Sequence, residues 1–190
     1  MNFYSTKELK QLGFKSLGKN LEISKNVNFY NFVGTIGSNC RIDDYSILIG
    51  KINIGDHVHI APYNLISSSK YGNVINILKY TGIGPRCYIS ASTEDYMAND
   101  ISNPTIEKKF RKNIIMANIS IGRNVLVGAG TYIIPKRKNK NLKIGDNVSI
   151  GMNSIISNSI ISNSIVFNKN LQDQKVLTIK KKINFSKIKF

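Results

Sequence analysis

The sequence predicts a mainly β protein in which short strands wind into a triangular coil, and three observations carry this prediction. Groups that begin with an aliphatic residue recur with a period of six, as in residues 36–41, 54–59 and 144–149. A small apolar residue, such as Val58 or Val148, follows four places later. Glycine or Asp-Asn pairs stand where the chain must turn. A period of six fits neither an amphipathic helix nor a two-faced strand. Each group is therefore interpreted as one side of a triangle, and stacked sides pair as parallel strands around an apolar axis.

The first 20 residues are predicted to form a short helical segment before the coil begins. Ser5 is the expected N-cap residue, and Glu8 completes a capping box with it. Gly13 stands where the helix should end, because glycine readily adopts the conformation that closes a helix.

The coil is assigned to residues 21–167, with one long loop excursion at about 92–116. The polar stretch 67–73 is expected to form one turn or a smaller excursion. An excursion as long as 92–116 from a tightly wound coil is usually functional. The Lys-rich residues 168–190 are predicted to be a small C-terminal extension that packs on the last coil as a strand or a helix.

Composition limits the classes of protein to which the chain can belong. It has 190 residues, and 27 Lys and Arg against 11 Asp and Glu give a formal net charge of +16. The basic residues are scattered and no aromatic residues interleave with them, so nucleic-acid binding is not expected. No apolar stretch reaches the roughly 18 residues of a membrane span. The N-terminus lacks the apolar core of a signal peptide, and we expect a cytoplasmic protein.

Two cysteines and two histidines leave little room for metal or disulfide chemistry. Cys40 and Cys87 cannot build a disulfide framework or a cysteine-based zinc site. His57 and His59 are the two histidines of the chain. We therefore expect no metal.

The repeated groups resemble those of the hexapeptide-repeat acyltransferases over about residues 20–165. The resemblance implies a left-handed parallel β-helix, a homotrimer, and acetyl-CoA as the acyl donor. A γ-class carbonic anhydrase shares this fold, but it needs three zinc-binding histidines. Galactoside acetyltransferases have a histidine at the position of Glu94. The run Glu94-Asp95-Tyr96, with His59 one coil earlier, is similar instead to acetyltransferases of nucleotide-linked amino sugars.

His59 is the first candidate for the catalytic base. Acetyl transfer to an amine or a hydroxyl needs a group that takes the acceptor's proton, and histidine suits that role. His59 occupies the last place of its six-residue group, where a side chain points outward from a flat face, whereas His57 stands at a corner. His57 and Glu94 stay open as alternative bases. Glu94 or Asp95 is equally suited to orient His59 or to bind a substrate ammonium group.

Several other polar residues are candidates for substrate binding. Asp43 and Asp44 belong to the coil before His59, although aspartates at corners also stabilise turns. Arg86 is a candidate for a pyrophosphate, because a guanidinium can donate two parallel hydrogen bonds to it. The complete set of substrate candidates is Asp43, Asp44, Asn64, Arg86, Asp95 and Tyr96.

By the family resemblance, coenzyme A runs along the later coils in a groove between subunits. Its contacts carry over to Gly128, Ala129, Gly151, Met152 and Ser157. The two glycines are expected to permit close approach of the pantetheine arm. A Thr-Lys pair and a Gly-x-Pro-Ala segment of the family are absent. The basic runs at 136–140 and 180–182 are candidates for the missing phosphate-binding group.

The sequence therefore predicts an acetyl-CoA-dependent acetyltransferase that acts on the amine of a nucleotide-linked amino-dideoxy sugar. Such a sugar would serve the synthesis of bacterial surface polysaccharide, for example lipopolysaccharide. Two alternatives stay open. The first is O-acetylation of a hydroxyl on this sugar or on another saccharide, and the second is a non-catalytic β-helix scaffold. Acyl groups other than acetyl are also compatible with the sequence.

Overall fold

The computed structural model describes residues 2–69, 72–95, 103, 105, 107, 109, 113–136, 138–170 and 173–179. Within these residues the chain forms one helix, α1 (Thr6–Gln11), and a series of mostly short strands. The strands are β1 (Phe14–Leu17), β2 (Glu22–Ile23), β3 (Asn28–Ile36), β4 (Arg41–Ile42), β5 (Ile47–Ile54), β6 (His59–Ile60), β7 (Leu65–Ser67), β8 (Val74–Ile77), β9 (Gly82–Ile83), β10 (Tyr88–Ser90), β11 (Ser92–Glu94), β12 (Ile114–Met116), β13 (Ile119–Ile121), β14 (Leu126–Val127), β15 (Tyr132–Ile133), β16 (Leu142–Ile144), β17 (Ser149–Ile150), β18 (Ile155–Ile156), β19 (Ser164–Asn170) and β20 (Asp173–Ile179).

The N-terminal helix begins at the predicted capping box. The Glu8 backbone N–H donates to the Ser5 hydroxyl over 3.3 Å, and the Glu8 carboxylate accepts the Ser5 N–H over 2.7 Å. Hydrogen bonds from Lys25 and Ser5 lower the pKa of Glu8 to about 2. Directly after the helix, β1 pairs in parallel with β3. The stacked strands therefore begin before the predicted start at residue 21.

The strands stack into three parallel ladders, because the chain returns to the same side of the molecule after each turn. The first ladder contains β1, the C-terminal half of β3, the C-terminal half of β5, β8, β13 and β16. The second contains β2, β4, β6, β9, β14, β17 and β19. The third contains the N-terminal halves of β3 and β5, then β7, β10, β15 and β18. This confirms the predicted mainly β class with stacked parallel strands.

The second ladder contributes one aliphatic residue from each strand to the interior. These side chains are at most 2% exposed, and they are Ile23, Ile42, Ile60, Ile83, Val127, Ile150 and Val166. Because successive side chains of a strand point to opposite faces, the residue before each of them faces outward. The repeating core thus determines which residues form the outer surface of this ladder.

Asparagine residues in the left-handed conformation form one set of corners. Asn124, Asn147 and Asn163 have φ values of 53°, 56° and 61°, and asparagine tolerates this conformation better than most residues. Their side chains bond along the stack: the Asn124 amide donates to Asn147, and the Asn147 amide donates to Asn163, both over 3.0 Å. The expected polar corners therefore also tie consecutive turns together.

The long excursion leaves and re-enters the coil through an antiparallel pair of strands. β11 pairs with β12, so that Ser92 lies opposite Met116 and Glu94 lies opposite Ile114.

Beyond the last coil, β19 runs past the predicted boundary at residue 167, and β20 returns antiparallel to it. The described part of the C-terminal extension is therefore a strand. No helix in the described ranges has the length and apolarity needed to cross a membrane.

Candidate functional site

The outward residues of the second ladder form a column, here called the His59 column. Its members pair directly from strand to strand, and they are Glu22, Arg41, His59, Gly82, Leu126, Ser149 and Ile165. Neighbouring strands of a sheet lie about 4.8 Å apart, so these side chains stand next to one another. The column places an imidazole between an arginine and a glycine.

Asp43 is a buried residue of the preceding turn, and it orients His59 through a hydrogen bond. Its Oδ2 lies 2.8 Å from Nε2 of His59, and its Oδ1 accepts a hydrogen bond from Nε of Arg41 over 2.6 Å. The Asp43 side chain is 9% exposed, whereas that of His59 is 51% exposed. The pair therefore combines a buried carboxylate with an imidazole that substrates can reach.

The charge of Asp43 determines which nitrogen of His59 carries hydrogen. Burial raises the pKa of Asp43, but hydrogen bonds from His59 and Arg41 outweigh it and hold the pKa below its ordinary value. Asp43 is therefore ionised at neutral pH, and a carboxylate can only accept a hydrogen bond. Nε2 of neutral His59 must then be the donor, which leaves the lone pair on Nδ1. This is the tautomer that a general base needs.

His57, the alternative histidine, belongs to a corner stack. Its φ is 55°, and its Nε2 accepts a hydrogen bond from the Asn39 amide over 3.3 Å. Its ring also stacks on Tyr80, with ring centres 5.4 Å apart. Asn39 in turn accepts a hydrogen bond from Asn20 over 2.9 Å. His57 therefore occupies a position that asparagine fills in the two preceding turns.

Three of the predicted substrate residues take no part in the hydrogen bond between Asp43 and His59. They are Asp44, Asn64 and Arg86. Asp44 accepts hydrogen bonds from Ser24 and Asn26 of the preceding turn. Asn64 is 1% exposed, its amide donates to the Ala61 carbonyl over 2.5 Å, and its oxygen accepts the Cys87 N–H over 2.9 Å. Because both ends of this amide bond to backbone in the interior, we leave Asn64 out of the site.

The remaining loop candidates lie where the excursion begins. Arg86 is exposed at a corner, with φ of 58°. Glu94 ends β11, and the Asp95 N–H donates to the Asn113 carbonyl over 3.0 Å, beside the antiparallel pair. Tyr96 lies outside the described residues. The roles predicted for Glu94, Asp95 and Tyr96 stay predictions.

Gly128 and Gly151, the two glycines predicted to contact coenzyme A, have a structural role that the sequence did not reveal. A Cβ atom at Gly128 would lie 2.4 Å from the Met152 backbone nitrogen, and one at Gly151 would lie 2.8 Å from Cβ of Phe167. The stacking of consecutive turns therefore requires these glycines. Ala129 is half-buried beside them, and Met152 is 72% exposed.

Ser157 lies in a cleft together with the basic run that follows the excursion. The cleft has a volume of about 220 Å³ and is lined by Lys136, Lys140, Asn141, Leu142, Ser157, Asn158 and Ser159. The Asn139 N–H in this run donates to the Met116 carbonyl of β12 over 2.7 Å. The basic run is thus tied to the base of the excursion. We call this site the basic cleft.

Arg41 belongs to the candidate site, because it bonds to Asp43 and pairs with His59, but the sequence interpretation missed it. It takes the last place of its six-residue group, as His59 does, and the two pair directly in the second ladder. The sequence signal was that Arg41 and His59 hold equivalent places in groups that are one full turn apart. Among the described residues, no three His, Cys, Asp or Glu side chains gather in a way that could hold a metal ion.

Comparison with known proteins adds independent findings, although no family model matches the chain. The chain is 34% identical over 154 residues to the dTDP-4-amino-4,6-dideoxy-D-glucose acyltransferase of Escherichia coli, covering 78% of this chain and 75% of that protein. It also resembles AntD, an N-acyltransferase from Bacillus cereus solved with dTDP and 3-hydroxybutyryl-CoA. The TM-score is 0.83 with 32% identity, over 95% of this chain and 92% of AntD.

Two more solved structures extend the comparison. A variant of AntD in complex with dTDP-4-amino-4,6-dideoxyglucose and coenzyme A matches with a TM-score of 0.83 and 31% identity, over 96% of this chain and 92% of that one. A maltose O-acetyltransferase from Clostridium difficile shares the fold, with a TM-score of 0.51 and 22% identity over 93% and 74% of the two chains. The chain is an acyltransferase, and it belongs to the hexapeptide-type sugar acyltransferases, the family of the E. coli enzyme.

Proposed function

We propose that the chain transfers an acyl group from acyl-CoA to the amine of a nucleotide-linked 4-amino-4,6-dideoxy sugar, with dTDP as the nucleotide. The observation that carries this proposal is the match to AntD over 96% of the chain, because AntD binds this sugar nucleotide together with coenzyme A. The acylated product is an activated sugar, which suits a role in building surface polysaccharide.

The Asp43–His59 pair supports direct attack of the acceptor on the thioester. The neutral amine forms a C–N bond with the carbonyl carbon, and the C–S bond then breaks to release the thiolate of coenzyme A. The attacking nitrogen loses its proton to Nδ1 of His59. Asp43 stabilises the resulting imidazolium through Nε2, and a backbone N–H stabilises the oxyanion.

Both cysteines are poor candidates for a covalent intermediate. Cys40 and Cys87 are 1% and 2% exposed. Burial raises the pKa of each thiol above its ordinary value. A nucleophilic cysteine needs the opposite, an accessible sulfur and a lowered pKa. Direct transfer from the thioester to the acceptor, without an acyl-cysteine intermediate, follows.

We also infer that the three ladders are the faces of a left-handed parallel β-helix and that the protein works as a homotrimer. Large apolar side chains on the outward faces support an assembly: Leu126 is 60% exposed, Tyr132 48% and Ile155 40%. A neighbouring face that covered the His59 column would also enclose the imidazole and give acyl-CoA a second wall.

We assign the phosphates of acyl-CoA to the basic cleft. Lys136 and Lys140 line it beside Ser157, so two cations stand next to one of the predicted coenzyme A contacts. Exposed Met152 lies in the same turn of the coil, on the other side of β18. This arrangement supplies the positive charge that the missing Thr-Lys pair would otherwise provide.

A second candidate function is O-acylation of a sugar hydroxyl, and the observation that favours it is the Asp43–His59 pair. A hydroxyl is a weaker nucleophile than an amine and depends more on a positioned base.

The choice of acceptor is tested by incubating the protein with 3-hydroxybutyryl-CoA or acetyl-CoA and either of two sugar nucleotides. We expect release of coenzyme A and a product with the mass of an amide when dTDP-4-amino-4,6-dideoxyglucose is the acceptor. We expect neither with dTDP-glucose, which has a hydroxyl in place of the amine. Equal acylation of both would favour the hydroxyl function, and no transfer to either would contradict the proposal.

Replacing His59 by Asn should lower kcat about 100-fold, since general-base catalysis typically contributes 10²- to 10⁴-fold. The matched control is His57→Asn, which introduces at that corner the residue found there in the two preceding turns. It should keep the parent rate within about threefold, as expected of a variant that retains the corner conformation. The assignment fails if the two variants lose activity equally, or if His59→Asn is as active as the parent.

The double variant Lys136→Gln/Lys140→Gln should raise the KM for acyl-CoA roughly tenfold, because each exposed ion pair with a phosphate contributes up to about 1 kcal/mol and about 1.4 kcal/mol corresponds to tenfold. The KM for the sugar nucleotide should not change. Lys138→Gln is the control, since Lys138 belongs to the same basic run but does not line the cleft. An equal rise in KM for Lys138→Gln would mean that the lysines act through general charge attraction. It would exclude the basic cleft as the site of the acyl-CoA phosphates.

A further inference from the structure

Gly82 differs from every other glycine of the chain in having no steric or conformational reason to be glycine. Gly13, Gly50, Gly72 and Gly130 have positive φ values. A Cβ atom at each of the remaining nine would come within 3.0 Å of a neighbouring turn, at Gly18, Gly34, Gly37, Gly55, Gly84, Gly122, Gly128, Gly145 and Gly151. A Cβ atom at Gly82 would meet one atom, Cδ1 of Leu126, at an ordinary contact distance of 3.5 Å.

Glycine at this position weakens the strand in which it lies. Gly82 begins β9 and pairs with His59 on one side and Leu126 on the other. Glycine is unfavourable inside strands, because it packs no side chain and loses more backbone freedom on folding. A β-branched residue would suit this outward position better. A glycine in a strand often marks a place where a ligand or another backbone approaches closely.

The missing side chain opens a notch in the His59 column. Adjacent strands lie about 4.8 Å apart, so the backbones that carry His59 and Leu126 are roughly 10 Å apart. From its side of this space, Leu126 reaches toward Gly82, and its Cδ1 lies 3.5 Å from the position that a Cβ atom would take. The side chain of His59 is 51% exposed, and Leu126 is 60% exposed. One wall is therefore a base and the other is aliphatic. We call this space the Gly82 notch.

The backbone at Gly82 contributes space rather than a hydrogen bond to a ligand. Its N–H donates to the Val125 carbonyl over 2.9 Å, as part of the ladder. The notch therefore recognises its occupant by shape and by its two walls.

We propose that Gly82 is a specificity-determining residue that makes room for the acyl group of the donor beside His59. The proposal rests on the proposed function. The thioester carbonyl lies toward His59, where the acceptor amine attacks and loses its proton. The alkyl part of the acyl group lies against Leu126. A side chain at position 82 would occupy this space and exclude longer acyl groups first.

The test compares Gly82→Ala and Gly82→Val with the parent protein, using acetyl-CoA and 3-hydroxybutyryl-CoA as donors. Gly82→Ala should lower kcat/KM for the longer donor at least about tenfold more than for acetyl-CoA, the discrimination expected when a methyl group fills a binding pocket. Gly82→Val should lower kcat/KM for both donors roughly 100-fold or more. Both variants should melt at or above the parent temperature, because their strand propensity is higher.

A binding measurement separates this proposal from the function on which it rests. By titration calorimetry, Gly82→Val should bind coenzyme A as tightly as the parent does, but bind 3-hydroxybutyryl-CoA at least about tenfold more weakly. Ser120→Val is the matched control, since Ser120 is an outward residue of the first ladder. It should change neither activity nor binding.

Three results would overturn the proposal. The first is an unchanged ratio of activities toward the two donors in both Gly82 variants. The second is an equal loss of coenzyme A and acyl-CoA binding. The third is a lower melting temperature, which would make Gly82 a requirement of the fold. A parent protein that binds acyl-CoA but transfers nothing to any acceptor would instead refute the proposed function.

Discussion

The stacking of aliphatic side chains inside the second ladder is the constraint on which the rest of the molecule depends. Ile42, Ile60 and Ile83 pair directly, and each is at most 1% exposed. A slip of one residue along any of these strands would turn its aliphatic side chain to the surface. The same register fixes the outward neighbours, and so it sets His59 between Arg41 and Gly82. The site is therefore a consequence of how the core packs.

The Asp43–His59 pair connects the proposed catalytic base to that core. The Asp43 N–H donates to the Ile60 carbonyl over 2.9 Å, so the carboxylate is held by the strand that carries His59. A buried carboxylate is costly unless it is paired and hydrogen-bonded. Arg41 and His59 supply those partners. Orientation of the imidazole, its tautomer and the charge behind it all follow from one buried aspartate.

The sequence was sufficient for the mainly β class with stacked parallel strands and for the family, because both depend on a local pattern. The six-residue period predicted the stacked strands, and the capping box of Ser5 and Glu8 was confirmed. Contacts between residues of different turns were harder to predict. Gly82 and Leu126 are far apart in sequence, and they pair only because the chain returns to the same side after the excursion. Likewise, the predicted role of Gly128 overlooked its contact with the Met152 backbone, which only the stacking of turns reveals. Roles that depend on the loop, such as that of Glu94, stay predictions.

The claim that Asp43 and His59 act as one catalytic unit is tested most directly by a double-mutant cycle on kcat/KM. Asp43→Asn keeps the shape of the side chain and an oxygen that can accept from Nε2, but it removes the charge. We expect this change alone to lower kcat/KM at least about tenfold, and to have almost no further effect in the His59→Asn background, since residues that work as a unit are not additive. Equal losses from Asp43→Asn in both backgrounds would contradict the claim.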